Sequence, residues 1–394
     1  MRILHVMPVY APAWQYGGPV LSVSRLAEGL ARQGIDTRVL TTNAGLPQLP
    51  PEHLGRPLER NGVAVTYQPV DHPGGTIRSR ALLEGLPAAL EGVDLVHVSA
   101  IWQPLGLPVQ RAALRRGIPV LASLRGALGP YSLRQGWWKK LPWFLFRERP
   151  LLQRAAGLHV TSLQEEQELV GLGLKAPRFL LPNPLDLETL RPDAQLGRRW
   201  RIARGLAVDI PLLLVCGRQH HKKGLDLLPR VLAPLGQRLW QLLMVGGDDD
   251  GSGARLRADL EQAGLADRVR WIDTLPAPDL AGVYNAADLL LLPSRHENFG
   301  NVVIEALACG AAALISDRTG VSAELAQGGV ATVLPRQADL WSCWLEQWLE
   351  QPRRAGTSAA RWTAERYGQD AVSAAAVRAY TSILQTQGQR LGRA

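Results

Sequence analysis

The stretch RHENFGNVVIEALACG, residues 295–310, places Glu297 just before a glycine and Glu305 eight residues later inside an apolar helical pattern. One carboxylate then hangs on a loop while the other lies about one turn into a helix, so the two address different parts of one ligand. A helix starting near Asn301 points its first backbone N–H groups at the same ligand, with Phe299 and Gly300 beside them. Upstream, VCGRQHHKKGLDLL sets Arg218 and Lys223 after a short apolar strand, where a cation meets a ligand partly removed from water. His220, His221 and Lys222 read as solvated neighbours. A diphosphate held by these cations and amides, with a carboxylate accepting from sugar hydroxyls at each end, satisfies the whole set. Near the N-terminus, YAPAWQYGGP brings Gly17 and Gly18 to the start of a helix. Such a pair lets amides approach a phosphate closely, or serves as an ordinary turn, and its spacing is not that of a dinucleotide fingerprint.

The elements that must position these residues alternate along the chain. RILHVMPV reads as a strand, PVLSVSRLAEGLARQG as a helix with apolar spacing of three and four, and DTRVLTTN as the next strand; VDLVHVSA, VQRAALRRG and IPVLASLRG continue the pattern. After FLLPNPLDLETLRP it begins again with PLLLVCG, a helix over LDLLPRVLAPLG, QLLMVGG, ARLRADLEQAG and VRWID, then DLLLLPS, NVVIEALACG, AALIS and GGVATVL. Short apolar strands bounded by glycine or proline belong to parallel sheets covered on both faces. The expected fold class is α/β, with two doubly wound parallel-sheet, Rossmann-like domains joined near residues 182–192. In such sheets ligands bind at the carboxyl ends of the strands, which is where all three constellations fall.

The length of 394 residues agrees with two domains, since single cores stop growing near ~250–300 residues. With 46% hydrophobic and 20% charged residues the chain is globular, and 44 Lys and Arg against 35 acids, net +9, favour an anionic partner. Three widely separated cysteines, Cys216, Cys309 and Cys343, have no zinc or disulfide spacing and fit a reducing, cytoplasmic compartment. MRILHVMPVYAPA reads as a buried first strand rather than a leader, because His5 and Pro8 interrupt its apolar patch. No run approaches the ~20 apolar residues of a membrane span.

Taken together, Glu297 and Glu305 at E-x7-E spacing, Gly217, Arg218 and Lys223 as G-R-x4-K, and the Gly17-Gly18 loop resemble the donor site of glycosyltransferase family four (group 1), which has the GT-B fold. The resemblance covers almost the whole chain. It implies two Rossmann-like domains facing a central cleft: 1–184 on the acceptor side, completed by a C-terminal helix at about 369–388, and 185–368 for the nucleotide-sugar donor. It implies that Arg218 and Lys223 neutralise the diphosphate, that Glu305 accepts from the ribose hydroxyls, and that Glu297 holds a sugar hydroxyl near the reacting carbon. Amides around Phe299, Gly300 and Asn301 would orient sugar and phosphate, and Gly17 and Gly18 would close over the phosphates. It further implies a retaining hexosyl transfer to a sugar or lipid-linked acceptor in surface polysaccharide or glycolipid synthesis, with no cofactor and no metal.

Two positions depart from that family. SLRGALGPYS puts Arg125 where relatives often carry a histidine; an arginine is no general base near neutral pH but can hold an anionic acceptor or contact the donor sugar. Asp273 follows VRWI where a glycine is common. DDDGSGARLRAD nearly fits a calcium loop but follows a strand instead of a helix, and reads as a polar loop. Trp341, Trp344 and Trp348 share a helix face and read as packing. RQGWWKKLPWFLFRER, residues 134–149, interleaves aromatic and basic residues; it reads first as a buried helix beside the acceptor cleft and second as a peripheral contact with an anionic membrane face. Nucleic acid is not expected, since the basic residues are spread along the chain. Two other functions use the same residues: a nucleotide-sugar epimerase, and a non-catalytic sugar-nucleotide or membrane-surface binding protein.

Overall fold

The computed structural model describes residues 1–72, 76–273, 275 and 279–391. The chain divides into two units, one formed by Met1–Pro184 with the segment from Gln369 onward, the other by Leu185–Gly368.

In the first unit, β1 (Arg2–Val9), β2 (Asp36–Thr42), β3 (Pro57–Arg60), β4 (Val63–Gln68), β5 (Leu95–Val98), β6 (Val120–Ser123), β7 (Gly157–Val160) and β8 (Arg178–Leu180) form one sheet in the order β3-β4-β2-β1-β5-β6-β7-β8. Only β3 runs antiparallel, against β4. Seven of the eight residues of β1 are buried, because helices cover both faces at the sheet's centre. On one face the helix Gly18–Arg32 and the final helix Gln369–Leu391 pack Leu26, Leu30, Val372, Ala376 and Tyr380 against Ile3, Leu95 and Leu121.

That apolar face also carries polar groups. His5, His97 and His159 are all buried, and a directed chain of hydrogen bonds ties two of them down. Nε2 of His159 donates to the Leu181 carbonyl at 2.7 Å, which leaves its Nδ1 to accept from Nε2 of His97 at 3.0 Å. Nδ1 of His97 in turn accepts from the Tyr380 hydroxyl at 2.9 Å. Burial holds His5 and His159 down to about 3 and His97 well below its usual range, with the Arg125 cation acting in the same direction. All three rings are neutral at pH 7.

In the second unit, β9 (Leu212–Cys216), β10 (Gln241–Val245), β11 (Val269–Ile272), β12 (Leu289–Leu292), β13 (Ala312–Ser316) and β14 (Thr332–Leu334) form a parallel sheet in the order β11-β10-β9-β12-β13-β14. The strand order reverses between β9 and β12, so the loops that leave these two strands open a crevice at one edge. The single helix expected over LDLLPRVLAPLG is instead a short helix, Leu228–Leu232, flanked by 3-10 turns. Pro229 and Pro234 each remove a backbone donor there. Trp341 is fully buried and Trp344 and Trp348 stack beside it at 6.5 Å, so this face packs on its unit as the pattern indicated. Among the described residues no helix is long and apolar enough to cross a membrane.

Candidate active site

The loops after β9 and β12 are fixed to each other before any side chain is considered. The Lys222 carbonyl accepts from Arg295 N at 2.7 Å, and Arg336 Nε donates to the Pro293 carbonyl at 2.9 Å while its Nη2 reaches the Gly224 carbonyl at 3.1 Å. Close approach of the strand ends demands glycine: a Cβ on Gly246 would stand 2.2 Å from the Gly217 carbonyl oxygen. Gly300, with φ 99°, turns the chain into the helix Asn301–Ala308, and a Cβ there would meet Thr319 Cγ2 at 2.7 Å.

This scaffold brings Lys223 and Glu297 together, Nζ to Oε2 at 2.5 Å, with both side chains mostly buried. The backbone of Glu297 is held on both sides by the loop after β13: its N–H donates to the Arg318 carbonyl at 3.0 Å and its carbonyl accepts from Gly320 N at 2.8 Å. The carboxylate therefore sits on three joined loops rather than on a free tip, a preorganised arrangement suited to charge that moves during a reaction.

Glu305 lies one turn into the helix Asn301–Ala308 and is buried, its Oε2 accepting from the Tyr284 hydroxyl at 2.7 Å. Tyr284 comes from the helix Leu280–Ala286 and also lies 3.6 Å from Cys216 Sγ at the end of β9. The Cys216 thiol is pushed up to about 11, chiefly by burial, with the Tyr284 hydrogen bond drawing against it, Glu305 adding to the rise and Lys223 opposing it, which places these groups in one electrostatic neighbourhood. The Tyr284 hydroxyl is pushed well above its ordinary range by burial, then by Cys216 and Glu305, so it stays a donor. Sequence reasoning missed Tyr284, since AGVYNAA looks only like a core helix; nothing in the spacing marked its hydroxyl.

Arg218 stands apart from this cluster. Its guanidinium is 79% exposed and meets Asp249 Oδ2 at 3.0 Å, an acid that sequence reasoning did not single out. Beside it, one nitrogen each from His220 and His221 and one oxygen of Asp250 lie within 4.8 Å of one another. His220 Nδ1 accepts from Lys222 N at 3.2 Å, so the neutral ring keeps its proton on Nε2, the atom 3.7 Å from Asp250. That atom has no lone pair for a cation. Asp250 instead accepts from His221 N at 3.0 Å and from the Ser252 hydroxyl at 2.5 Å, bracing the loop, and Asp248 accepts from Ala254 N at 2.8 Å. Asp248 and Asp250 thus brace their own loop, Asp250 also tying it to the loop after β9, and the preceding element is β10.

Phe299 turns its ring into the core. Its side chain is buried and meets the Tyr367 ring edge-on at 5.9 Å, so this residue anchors the loop in the core. Among the described residues neither its amide nor that of Gly300 is engaged in a hydrogen bond, and these donors precede the first turn of the helix. Asp273 follows directly on β11.

In the first unit, Gly17 has φ 80° and Gly18 opens the helix Gly18–Arg32, with Pro19 in its first turn. Arg125 leaves β6 with φ 49° and is partly buried. Its Nη1 donates to Ser22 Oγ at 2.7 Å and to Asn183 Oδ1 at 3.2 Å, and its buried Nε has no hydrogen-bond partner among the described residues. Burial draws the guanidinium down to about 10, against the pull of Glu165 and Tyr380, so it remains a cation at neutral pH.

Comparison with known proteins agrees with this layout. Residues 198–367 match the family described as glycosyl transferases group 1, and residues 17–184 match the glycosyl transferase 4-like domain. A D-inositol 3-phosphate glycosyltransferase of Thermobispora bispora is 31% identical over 97% of the chain and 94% of its own length. A second one, from Catenulispora acidiphila, is 32% identical over 79% of each. Among solved structures, Anabaena HepE in complex with UDP and glucose aligns over 97% of the chain and 100% of its own, with a TM-score of 0.75 at 19% identity. Sucrose-phosphate synthase from Thermosynechococcus elongatus aligns over 98% and 100% with a TM-score of 0.74 at 22% identity.

Proposed function

Because the chain belongs to the group 1 glycosyltransferases and has the GT-B fold, we propose that it moves a hexosyl group, with retention, from a nucleoside diphosphate sugar to a hydroxyl of an acceptor that bears an anionic group. The observation that carries this reading is the Lys223–Glu297 contact at the sheet's switch point, a cation and a carboxylate held ready on loops of the second unit. A donor diphosphate gives Lys223 a second anionic partner, and Glu297 then accepts from a hydroxyl of the sugar. Glu305, oriented by Tyr284, accepts from the ribose hydroxyls, and the amides of Phe299 and Gly300 donate to phosphate or sugar. Arg218 joins the diphosphate by leaving the exposed contact with Asp249, a surface pair that costs little to break.

As the bond from the anomeric carbon to the diphosphate oxygen breaks, negative charge grows on that oxygen, and Lys223 and Arg218 stabilise it by several kcal/mol. The acceptor hydroxyl oxygen bonds to the same carbon on the same face and its proton passes to the departing phosphate. The chain's own cations supply the positive charge in this scheme, and no metal ion belongs to the proposal. Of the glycine pair, Gly17 N already donates to the Trp14 carbonyl at 2.9 Å, so Gly18 is the one that offers its amide to an anion. Arg125 anchors the acceptor's anionic group; the D-inositol 3-phosphate of the relatives' names is of that chemistry. Three free thiols suit a cytoplasmic setting, where such products enter surface polysaccharides or glycolipids.

The test offers a panel of nucleoside diphosphate sugars with and without phosphorylated polyols and follows nucleoside diphosphate release and the product anomer by NMR. Release that requires acceptor, with the donor's anomeric configuration kept, supports the reading. Donor altered without acceptor, or bound without turnover across the panel, sinks it. Arg125→Met should raise the acceptor KM at least tenfold and leave donor binding unchanged.

A further inference from the structure

The segment first read as a buried helix beside an acceptor cleft is not buried. Its residues form a short helix Pro130–Arg134, a second helix Trp137–Trp143, a π-helical turn Phe144–Glu148 and a last turn Arg149–Leu152. Trp137, Trp138, Leu141, Trp143, Leu145 and Phe146 are all exposed, Phe146 at 78% and Trp138 at 62%. The π turn explains the inversion. It carries one extra residue, so only Phe144 and Glu148 of that stretch turn inward, where Phe144 meets Trp102 and Glu148 accepts from Trp102 N at 3.2 Å and Trp143 Nε1 at 3.3 Å. Six large apolar side chains within ten residues are far more than a chain leaves in water without a partner for them.

The exposed charges of segment 134–149 have one sign. Glu148 is the only acid between residues 134 and 149 and it is buried, whereas Arg134, Lys139 and Arg147 are exposed. Behind Phe146 a cavity of about 330 Å³ is lined by Arg111, Arg115, Arg147 and Arg154 with apolar neighbours and no acid. Arg111 and Arg115 come from the neighbouring helix Gly106–Arg115, so two elements converge to make this cationic pocket. Glu148 lies close enough for Arg111 and its carboxyl to attract each other, but it does not line the cavity, and three of the four arginines are exposed.

We propose that this face docks on an anionic bilayer, with the exposed aromatic side chains at interfacial depth and a lipid phosphate held in the four-arginine cavity. Tryptophan rings rest at the boundary of headgroups and acyl chains, and long basic side chains beside them reach up to the phosphates. Arginine suits the cavity, because its planar fork binds phosphate oxygens in pairs. A second copy of the chain fits poorly, since a two-fold contact through this face would set arginines against arginines. The inference stands independently of the donor reaction, as its residues belong to the first unit and none is assigned to transfer.

The full chain is sedimented with phosphatidylcholine vesicles and with vesicles containing one-third phosphatidylglycerol. Binding should be at least tenfold stronger to the anionic vesicles and fall as salt rises. Trp138→Ser/Phe146→Ser and, separately, Arg115→Glu/Arg147→Glu should each weaken it at least tenfold, while Arg198→Glu/Arg199→Glu, of equal charge change on the second unit, should retain it. Circular dichroism melts verify that each variant folds. Equal binding to both vesicle types, or equal loss in all three variants, overturns the proposal. So does displacement by a few millimolar inorganic phosphate, which marks a free-anion site, or a concentration-dependent dimer abolished by Trp138→Ser/Phe146→Ser with vesicle binding intact, which marks self-association.

Discussion

Lys223 Nζ and Glu297 Oε2 lie 2.5 Å apart across the two loops that leave β9 and β12, each the other's counter-ion in the absence of substrate. Under the proposed function, removing the cation takes charge stabilisation from the departing diphosphate. Lys223→Ala is expected to lower kcat/KM by about 10²–10³-fold, measured as nucleoside diphosphate release, whereas Glu297→Gln should lower kcat with little change in affinity for the bare nucleoside diphosphate. Wild-type turnover in either variant would remove that pair from the mechanism.

Under the proposed function, Tyr284 and Glu305 separate the ribose contact from the chemistry. Tyr284→Phe keeps the ring packed and deletes the hydroxyl that donates to Glu305 at 2.7 Å. A hydrogen bond to a carboxylate is worth about 1.5 kcal/mol or more, so calorimetry should find nucleoside diphosphate bound roughly ten times more weakly. Glu305→Ala should weaken it further, and the ratio of turnover among different sugars on the same nucleotide should not change in either variant.

Gly300 is the pivot on which the helix carrying Glu305 begins. Its φ of 99° disfavours any side chain, and a Cβ would collide with Thr319 Cγ2. Gly300→Ala should cost about 1–3 kcal/mol in denaturant unfolding. Adding Thr319→Ser relieves the collision but not the backbone strain, so only part of the loss should return.

The buried histidines make a prediction about acid. His5 and His159 titrate at about 3 when folded, against 6.5 for the free side chain. Between those values the unfolded chain binds more protons, so the stability these rings contribute is complete above pH 6.5 and is lost as pH falls toward 3. Each ring adds at most about 1.4 kcal/mol per pH unit to the slope. Nε2 of His5 has no partner among the described residues, so His5→Leu removes no known bond there. Melts from pH 7 to pH 4 should show a shallower loss in His5→Leu than in wild type; parallel curves would mean His5 is protonated in the fold.

Much of this was legible in the chain itself, and the exceptions share a cause. The strands were readable because each is apolar on both faces between glycine or proline breaks, as in LLLVC of β9 and LLLL of β12. The placing of Lys223 and Glu297 on loops after strands and of Glu305 inside a helix was readable because charged types stand at fixed offsets from apolar strands. Tyr284 was not, since its role depends on a neighbour 21 residues away that only folding brings near. Nor was the direction of Arg218, because a long exposed side chain takes whichever acid lies within reach. The segment 134–149 misled for a different reason: apolar residues indicate burial only when a helix keeps one period, and the π turn breaks it at Phe144.

The last helix, Gln369–Leu391, lies at the far end of the chain yet supplies Tyr380 and Val372 to the core around β1. During synthesis the second unit can therefore complete its core while the first still lacks a wall. His97 waits for its Tyr380 partner until the segment after Gly368 has left the ribosome. A nascent chain stalled after Gly368 would thus carry a finished second unit and an open sheet in the first, and quality-control proteases would find their substrate in the half that was made first.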